Sequence, residues 1–190
     1  MRLVAFDTSG PHVAVAVLTP EGLTSAVEEL SRGQGERLLP LCEELLAETR
    51  VDWHELDALG VGIGPGNFTG IRISVAAARG LALGLKVPAI GVSLFDTTQK
   101  LGNWAQTAVP APRDQAYFLD PNKMDAPILT KATSVQTAKF SSEFATEQHV
   151  RAIAEIAVER VYKNTSPPAP LYVKPADAAP PRDAPPILID

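Results

Sequence analysis

The chain has 190 residues, of which 45% are hydrophobic, and this is enough for one compact core or two small joined lobes, which excludes full disorder. A net charge of -5 argues against direct binding to a nucleic-acid backbone, because that affinity comes mainly from clustered Lys and Arg. The single cysteine, Cys42, fits a reducing compartment, and the acid Asp7 comes too early for a signal peptide. The sequence therefore predicts a cytoplasmic protein. No stretch approaches the roughly 18 apolar residues of a membrane span, so no membrane association is expected.

Strands and helices alternate in the first half of the chain. Pro40 predicts that the first helix begins near it or that its first turn is distorted, and Ser93 is placed to cap the third helix. Apolar and β-branched runs predict strands, and apolar spacing of three to four predicts helices. The strands are expected at 2–6, 13–18, 23–30, 56–63 and 87–92, and the helices at 35–49, 71–85 and 94–104. Three antiparallel strands followed by α-β-α-β-α indicate a ribonuclease H-like lobe, of which actin-like kinases contain two.

The composition changes after Gly102. All 13 glycines lie at or before this position, whereas 12 of the 17 prolines lie beyond it. Short strands are predicted at 106–109, 115–119 and 127–130, followed by an amphipathic helix at 147–162. We therefore predict a complete N-terminal lobe at 1–102, a reduced second lobe at 103–166 and a Pro-rich C-terminal extension at 167–190.

The glycine-rich loop at 64–70 lies between a predicted strand and a predicted helix. In that position glycines let backbone N–H groups approach an anion, but the loop has no Gly-Lys-[Ser/Thr] and is not a P-loop. Asp7 ends the first strand and has two interpretations, a phosphate or magnesium ligand or an Asx-turn within the hairpin. The residues of a vestigial nucleotide loop are Asp7, Thr8, Gly64, Gly66 and Thr69.

The helix at 71–85 is apolar on nearly all sides, since its only polar side chains are Arg72, Ser74 and Arg79. It is either a central core helix or a helix with the core on one side and a partner on the other. The apolar stripe of helix 35–49 also exceeds what one sheet face would cover, which favours a partner. The predicted interface consists of Leu38, Leu41, Cys42, Leu45, Ile73, Ala76, Ala77, Gly80 and Gly84.

The segment GPGNFTGIRISVAAARGLALG at 64–84 resembles the signature of the TsaB (YeaZ) family. LVAFDTS at 3–9, GERLLPLCEELL at 35–46, VPAIGVS at 87–93 and APLYVKP at 169–175 extend the resemblance. Gln34, Gly35 and Asn67 depart from the family pattern, and the second lobe is short. The family implies an actin-like ATPase (ribonuclease H-like) fold with a complete first lobe and a reduced second lobe.

The resemblance also implies a role in forming threonylcarbamoyladenosine on tRNAs that read codons starting with adenosine. The expected partners are a TsaD-type catalytic subunit, bound through the two helices, and a TsaE-type ATPase. A homodimer through an overlapping surface is a further expectation, and tRNA is expected to bind only through the complex. No cofactor or metal is expected on this chain, because partner proteins would hold ATP and metal.

The residues give little support for catalysis by the chain itself. His12, His54 and His149 are too scattered for an HxxxH metal pair, and each is interpreted as a turn or surface residue. The second lobe has no glycine from 103 to 190, although nucleotide sites approach adenosine and phosphate with glycine turns. We therefore predict a non-catalytic scaffold. The alternative is a small actin-like ATPase or kinase that uses Asp7 and the 64–70 loop.

Overall fold

A five-stranded mixed sheet is the centre of the first lobe in the computed structural model, which describes residues 1–163 and 166–173. The strands are β1 (Leu3–Asp7), β2 (His12–Thr19), β3 (Gly22–Glu29), β4 (Ala58–Gly62) and β5 (Ala89–Val92). Their order is β3-β2-β1-β4-β5, in which β2 is antiparallel to its neighbours and β1, β4 and β5 run parallel. This is the ribonuclease H-like order that the sequence predicts.

Four α-helices accompany the strands: α1 (Gln34–Glu48), α2 (Phe68–Leu85), α3 (Leu94–Gly102) and α4 (Thr146–Arg160). Successive residues of a strand point to opposite faces of the sheet, and β1 shows the consequence. Val4 and Phe6 belong to the core that contains α1 and α2, whereas Leu3 and Ala5 belong to the core that contains α4. Both faces of the sheet are therefore covered by helices.

The ends of α1 and α2 bear on two of the predictions. The α1 helix begins at Gln34, within one residue of the predicted range 35–49, and runs through Pro40, so the alternative that it begins near this proline is wrong. Leu38 and Leu41 are buried on either side of Pro40, and this packing offsets the hydrogen bond that proline cannot donate. The α2 helix begins at Phe68, because the Asn67 side chain caps it by accepting a hydrogen bond of 2.9 Å from Gly70 N.

The second lobe contains a smaller sheet of four strands. They are β6 (Thr107–Ala111), β7 (Gln115–Leu119), β8 (Ile128–Lys131) and β9 (Lys139–Phe140), in the order β8-β7-β6-β9. The three predicted strands are confirmed, and β9 was not predicted because two residues carry no alternation pattern. The buried core of this sheet is made of small side chains, namely Ala108, Ala116, Val135 and Ala138.

The α4 helix lies on the first sheet, although the sequence places it in the second lobe. Ile153 and Ala157 pack so close to Gly60 of β4 that a Cβ there would lie 3.3 and 3.2 Å from them. The small residues of the sheet thus create the space that α4 occupies. The chain returns to the first lobe at α4. The lobe boundary predicted at residue 102 stays a prediction for the segment between α3 and α4.

The C-terminal segment that the structure describes, residues 166–173, runs along the first lobe. Leu171 N donates a 2.8 Å hydrogen bond to Ile63 O, immediately after β4. Pro168 is buried, and a Cβ on Gly91 of β5 would lie 3.3 Å from its ring. This part of the predicted 167–190 extension packs on the lobe, while positions 174–190 lie outside the described residues.

Candidate functional site

A cavity of about 360 Å³ separates the two lobes at the carboxyl ends of β1 and β4. The first lobe contributes Asp7, His12 and Gly66 to its wall, and the second contributes Val109 and Phe144. Open α/β folds bind ligands at this edge of the sheet. Asp7 and Gly66 therefore lie where a nucleotide site would be expected.

The Asp7 carboxylate is engaged by its own hairpin. Its Oδ2 accepts hydrogen bonds from Ser9 N at 3.2 Å and from Ser9 Oγ at 2.8 Å, and it lies 2.9 Å from His12 Nε2. The bond from the backbone two residues ahead is an Asx-turn, so that interpretation of Asp7 is confirmed. A metal or phosphate ligand would have to compete with three contacts at this oxygen.

The glycine loop packs against the hairpin turn. A Cβ on Gly66 would overlap Ser9 O, and a Cβ on Gly70 would overlap Thr8 O. Thr8 Oγ1 donates to Gly70 O at 2.7 Å, and Asn67 N donates to Ser9 O at 2.7 Å. The glycines at 66 and 70 therefore allow two backbone segments to approach closely, and the N–H groups of 67 and 70 have partners within the chain.

The residues of the predicted nucleotide loop lie in different parts of the structure. Thr8 is buried behind the cavity, and Thr69 lies in a separate groove between the starts of α1 and α2. Gly64 has a φ of 92°, and a Cβ there would contact Ile71. Lys and Arg do not occur among the described residues that line the interlobe cavity, so a triphosphate there would face a carboxylate without a fixed cation.

His149 is buried at the same cavity, so its interpretation as a turn or surface residue is wrong. Its Nδ1 lies 2.8 Å from Thr97 Oγ1, and its Nε2 lies 2.9 Å from Ser141 O. Burial is the main cause that holds the pKa of His149 below its usual value. In the sequence, His149 stands four residues before Ile153, which belongs to the apolar stripe of α4. This spacing was the signal that His149 lies on the buried face of the helix.

Cys42 is buried in the core between α1 and the sheet. Burial raises the pKa of its thiol to about 12, with a smaller contribution from Glu43. Since the thiolate is the nucleophilic form, this raised pKa and the burial of the sulfur both disfavour a role of Cys42 as a nucleophile at neutral pH. The residue contributes to packing.

One face of α2 packs on the sheet, and the other is apolar and exposed. Ile71, Ser74, Val75 and Ala78 are buried. On the opposite face, Ala76, Gly80, Gly84 and Leu83 are exposed, and Leu83 has 82% of its surface accessible. Ile73 and Ala77 are half-buried at the border. The interpretation of α2 as a central core helix is therefore wrong, and the partner expected on its exposed face stays a prediction.

The predicted contribution of α1 to this surface is wrong. Leu38, Leu41, Cys42 and Leu45 are all buried in the first lobe's own core. The apolar stripe of α1 packs against both the sheet and α2. These two neighbours account for the width of the stripe without a partner protein. The exposed apolar side chain of α1 is instead Leu39, with 42% of its surface accessible.

The length and composition of α2 bear on the membrane prediction. Its 18 residues have a mean hydropathy of 1.3, so α2 is long and apolar enough to cross a membrane. The statement that no stretch approaches such a span is therefore wrong. The helix is packed on a sheet through one face and carries Arg72 and Arg79 on exposed positions, as a helix of a folded lobe does.

Two stacked aromatic rings lie beside Arg72 at the start of α2. Phe68 and Tyr172 stack with their centroids 5.1 Å apart, and Arg72 Cζ lies 3.9 Å from the Phe68 centroid. Arg72 Nε donates to the Tyr172 hydroxyl at 2.8 Å. The sequence analysis missed this cluster, because Tyr172 is 100 residues away in the chain from Arg72.

The strand order and the interlobe cavity define the class, an actin-like protein with a ribonuclease H-like first lobe. A family model described as TsaD, tRNA N6-adenosine threonylcarbamoyltransferase, matches residues 27–112. The tRNA threonylcarbamoyladenosine biosynthesis protein TsaB of Escherichia coli K12 is 36% identical over 104 residues, which are 55% of this chain and 45% of that protein. Haemophilus influenzae TsaB is 39% identical over 93 residues, or 49% of this chain and 39% of that protein. Over about half of its length the chain is thus similar to TsaB (YeaZ) proteins, which carry the name tRNA threonylcarbamoyladenosine biosynthesis protein.

The structural comparison supports the fold over most of the chain. YeaZ from Pseudomonas aeruginosa superimposes with a TM-score of 0.65 at 24% identity, covering 84% of this chain and 92% of that one. The sequence similarity to the two TsaB relatives above is narrower, because the chain spans less than half of their length. The family model matches residues 27–112, a range that includes the glycine loop and α2.

Proposed function

We propose that the chain is a non-catalytic subunit that binds and stabilises a TsaD-type catalytic subunit for threonylcarbamoyladenosine modification of tRNA. The observation that carries this proposal is the exposed apolar face of α2, formed by Ala76, Gly80, Leu83 and Gly84. Contiguous apolar surface of this kind costs free energy in water unless another protein covers it. Small residues four apart let a second helix approach closely.

The absence of catalysis by this chain is part of the proposal. Asp7 is held in an Asx-turn, the loop glycines contact Thr8 and Ser9, and the cavity wall described above provides no Lys or Arg for phosphate. We propose that partner proteins hold the ATP and the metal, and that a TsaE-type ATPase joins the complex. A chain with net charge -5 is expected to contact tRNA only through that complex.

The test is association of the purified chain with the TsaD-type protein of the same organism. Titration calorimetry is expected to give a 1:1 complex with the unmodified chain. Ala76→Arg and Gly80→Arg are expected to abolish it, because each would bury a charge without a partner. Ala126→Arg is the matched control, since Ala126 is exposed on the second lobe. A chain that fails to bind, or whose α2 variants bind normally, contradicts the proposal.

The alternative of a small ATPase is tested in the same preparation. The chain alone is expected to show neither ATP binding by calorimetry nor ATP hydrolysis. Micromolar affinity that Asp7→Ala removes without unfolding the chain would favour the ATPase instead. That outcome would also show that the Asp7–His12 contact opens to admit a ligand.

A further inference from the structure

The surface of the interlobe cavity is mostly apolar, and both lobes contribute to it. Pro65, Leu94 and Val150 line it from the first lobe, and Val109 and Phe144 line it from the second. Its volume of about 360 Å³ has room for roughly a dozen non-hydrogen atoms, if each takes about 30 Å³, the share of a water molecule in the liquid. Cavities of this kind are typical of small-molecule sites, in which a few polar groups orient a mainly apolar ligand.

Asp7 brings a carboxylate to this apolar surface. The donors described above, from Ser9 and His12, all contact its Oδ2. Among the described residues no donor contacts Oδ1, and every fully shielded polar side-chain atom there has a hydrogen-bond partner. Oδ1 is therefore not fully shielded, and it reaches the cavity that Asp7 lines. Gly62 at the end of β4 makes this position possible, because a Cβ there would overlap Oδ1.

The charges around the cavity indicate the class of ligand. Of the lining residues that the structure describes, Asp7 is the only Asp or Glu, and none is Lys or Arg. A phosphate or carboxylate ligand would therefore meet a like charge in a poorly solvated space, which is repulsive. A metal ion is also disfavoured, because in the described part of the chain no three His, Cys, Asp or Glu side chains lie together as ligands.

The two histidines at the cavity are compatible with a cationic ligand. His149 has both ring nitrogens engaged, by Thr97 and by the backbone oxygen of Ser141. A neutral His12 donates from Nε2 to Oδ2 and leaves the negative charge of Asp7 in place. A protonated imidazole would instead compete with the ligand for the carboxylate, so binding is tested at about pH 8, where histidine side chains are mostly uncharged.

We propose that the interlobe cavity binds a small organic cation, an amine or amidine with an apolar body. The cationic group pairs with Oδ1 of Asp7, and the apolar body packs between the lobes against Val109 and Phe144. The pair is favourable because water screens charges in a partly buried site less than at the surface. The cavity is separate from the exposed face of α2, so this inference goes beyond the proposed function and does not depend on it.

Benzylamine, benzyl alcohol and benzoate test the inference, because they are probes of similar shape that differ in charge. In an NMR titration of the ¹⁵N-labelled full chain, benzylamine is expected to shift the amide signals of cavity residues such as Gly10 and Gly66, with a Kd of about a millimolar. Benzyl alcohol is expected to bind at least roughly tenfold more weakly, because it has no charge to pair with the carboxylate. Benzoate is expected to leave these signals unchanged.

Asp7→Asn removes the charge but keeps an oxygen that can accept the hydrogen bonds from Ser9 and His12. In this variant the Kd for benzylamine is expected to rise at least roughly tenfold, while the Kd for benzyl alcohol changes little. Asp57→Asn is the matched control, because Asp57 is exposed and precedes β4 at the opposite edge of the sheet. Its Kd for benzylamine is expected to equal that of the unmodified chain. Amide spectra of the free variants that match the unmodified chain away from the substituted residue show that the fold is kept.

The results decide between a cation site and its alternatives. Benzyl alcohol that binds as tightly as benzylamine would overturn the proposal in favour of a neutral ligand, and shifts with benzoate would overturn it in favour of an anion. Equal losses in Asp7→Asn and Asp57→Asn would attribute the affinity to general charge and also overturn it. The same holds if benzylamine at tens of millimolar shifts no signal from the cavity. None of these results concerns binding to the TsaD-type protein, so failure of this inference is distinguishable from failure of the proposed function.

Discussion

Gly80 is the position at which stability and binding are expected to change in opposite directions. It lies in the interior of α2, it is exposed, and a Cβ built there meets no atom within 4 Å. Alanine has less backbone freedom to lose on folding than glycine, and an exposed helix interior gains roughly 0.5–1 kcal/mol from the replacement. Gly80→Ala is therefore expected to stabilise the isolated chain.

The same methyl group lies on the face proposed to contact a partner helix. For a chain of this length, about 1 kcal/mol corresponds to a rise of roughly 2–4 °C in Tm. We expect differential scanning fluorimetry to show a rise of about 1–4 °C for Gly80→Ala, while calorimetry shows weaker binding to the TsaD-type protein. The added Cβ separates the helices where the interface needs close approach.

The fluorimetry must be done on the monomeric chain. If the chain self-associated through α2, the substitution would weaken that association, and the weaker association would itself lower the Tm. Sedimentation at the same protein concentration establishes this. Gly84→Ala is a second variant of the same kind, since a Cβ there also meets nothing within 4 Å. An unchanged or lower Tm in both monomeric variants would refute the reasoning, because it would mean that α2 contacts other parts of the chain at these positions.

Two other predictions concern the residues around the cavity. Gly70→Ala is expected to destabilise the chain by several kcal/mol, because its Cβ would overlap the backbone oxygen of Thr8, and a urea midpoint equal to that of the unmodified chain would contradict this. His149 has a pKa lowered mainly by burial, so the unfolded chain takes up its proton first as pH falls below about 6.5. Stability is therefore lost on acidification, by at most about 1.4 kcal/mol per pH unit from this group, down to the pKa of the folded state. The glutamine of His149→Gln does not titrate, so the free energy of unfolding measured in urea is expected to fall less between pH 7 and 5 in this variant. Parallel pH profiles of stability for the variant and the unmodified chain would contradict this role of His149.

The sequence determined the first lobe well, because its signals are local. Strand β2 is a run of β-branched and small apolar residues, and Ser93 does cap α3, accepting a 3.1 Å hydrogen bond from Asp96 N. Repeated elements in this order leave few alternatives to the ribonuclease H-like topology. The excess of apolar residues on α2 was also visible, since a helix covered on one side needs only one such face.

Tertiary structure decided which apolar stripe is covered and which is exposed. Both α1 and α2 have more apolar residues than one sheet face would cover, yet Leu41 and Leu45 are buried while Leu83 and Gly84 are exposed. Hydrophobicity is not directional, so composition cannot say whether the apolar residues of a helix meet the chain's own sheet or another protein. For the same reason the sequence did not show that α4 packs on the first sheet.

The candidate site also depended on contacts between distant parts of the chain. The sequence identified Asp7 and the glycine loop but left open whether they bind a ligand, and only the packing of Gly66 and Gly70 on Ser9 and Thr8 shows what the glycines allow. The Arg72 cluster needs Tyr172 from the far end of the chain, which no periodicity relates to α2. Local patterns thus determined the elements and their order, whereas the surfaces available to a ligand or partner were decided by long-range packing, because burial depends on what the fold brings together.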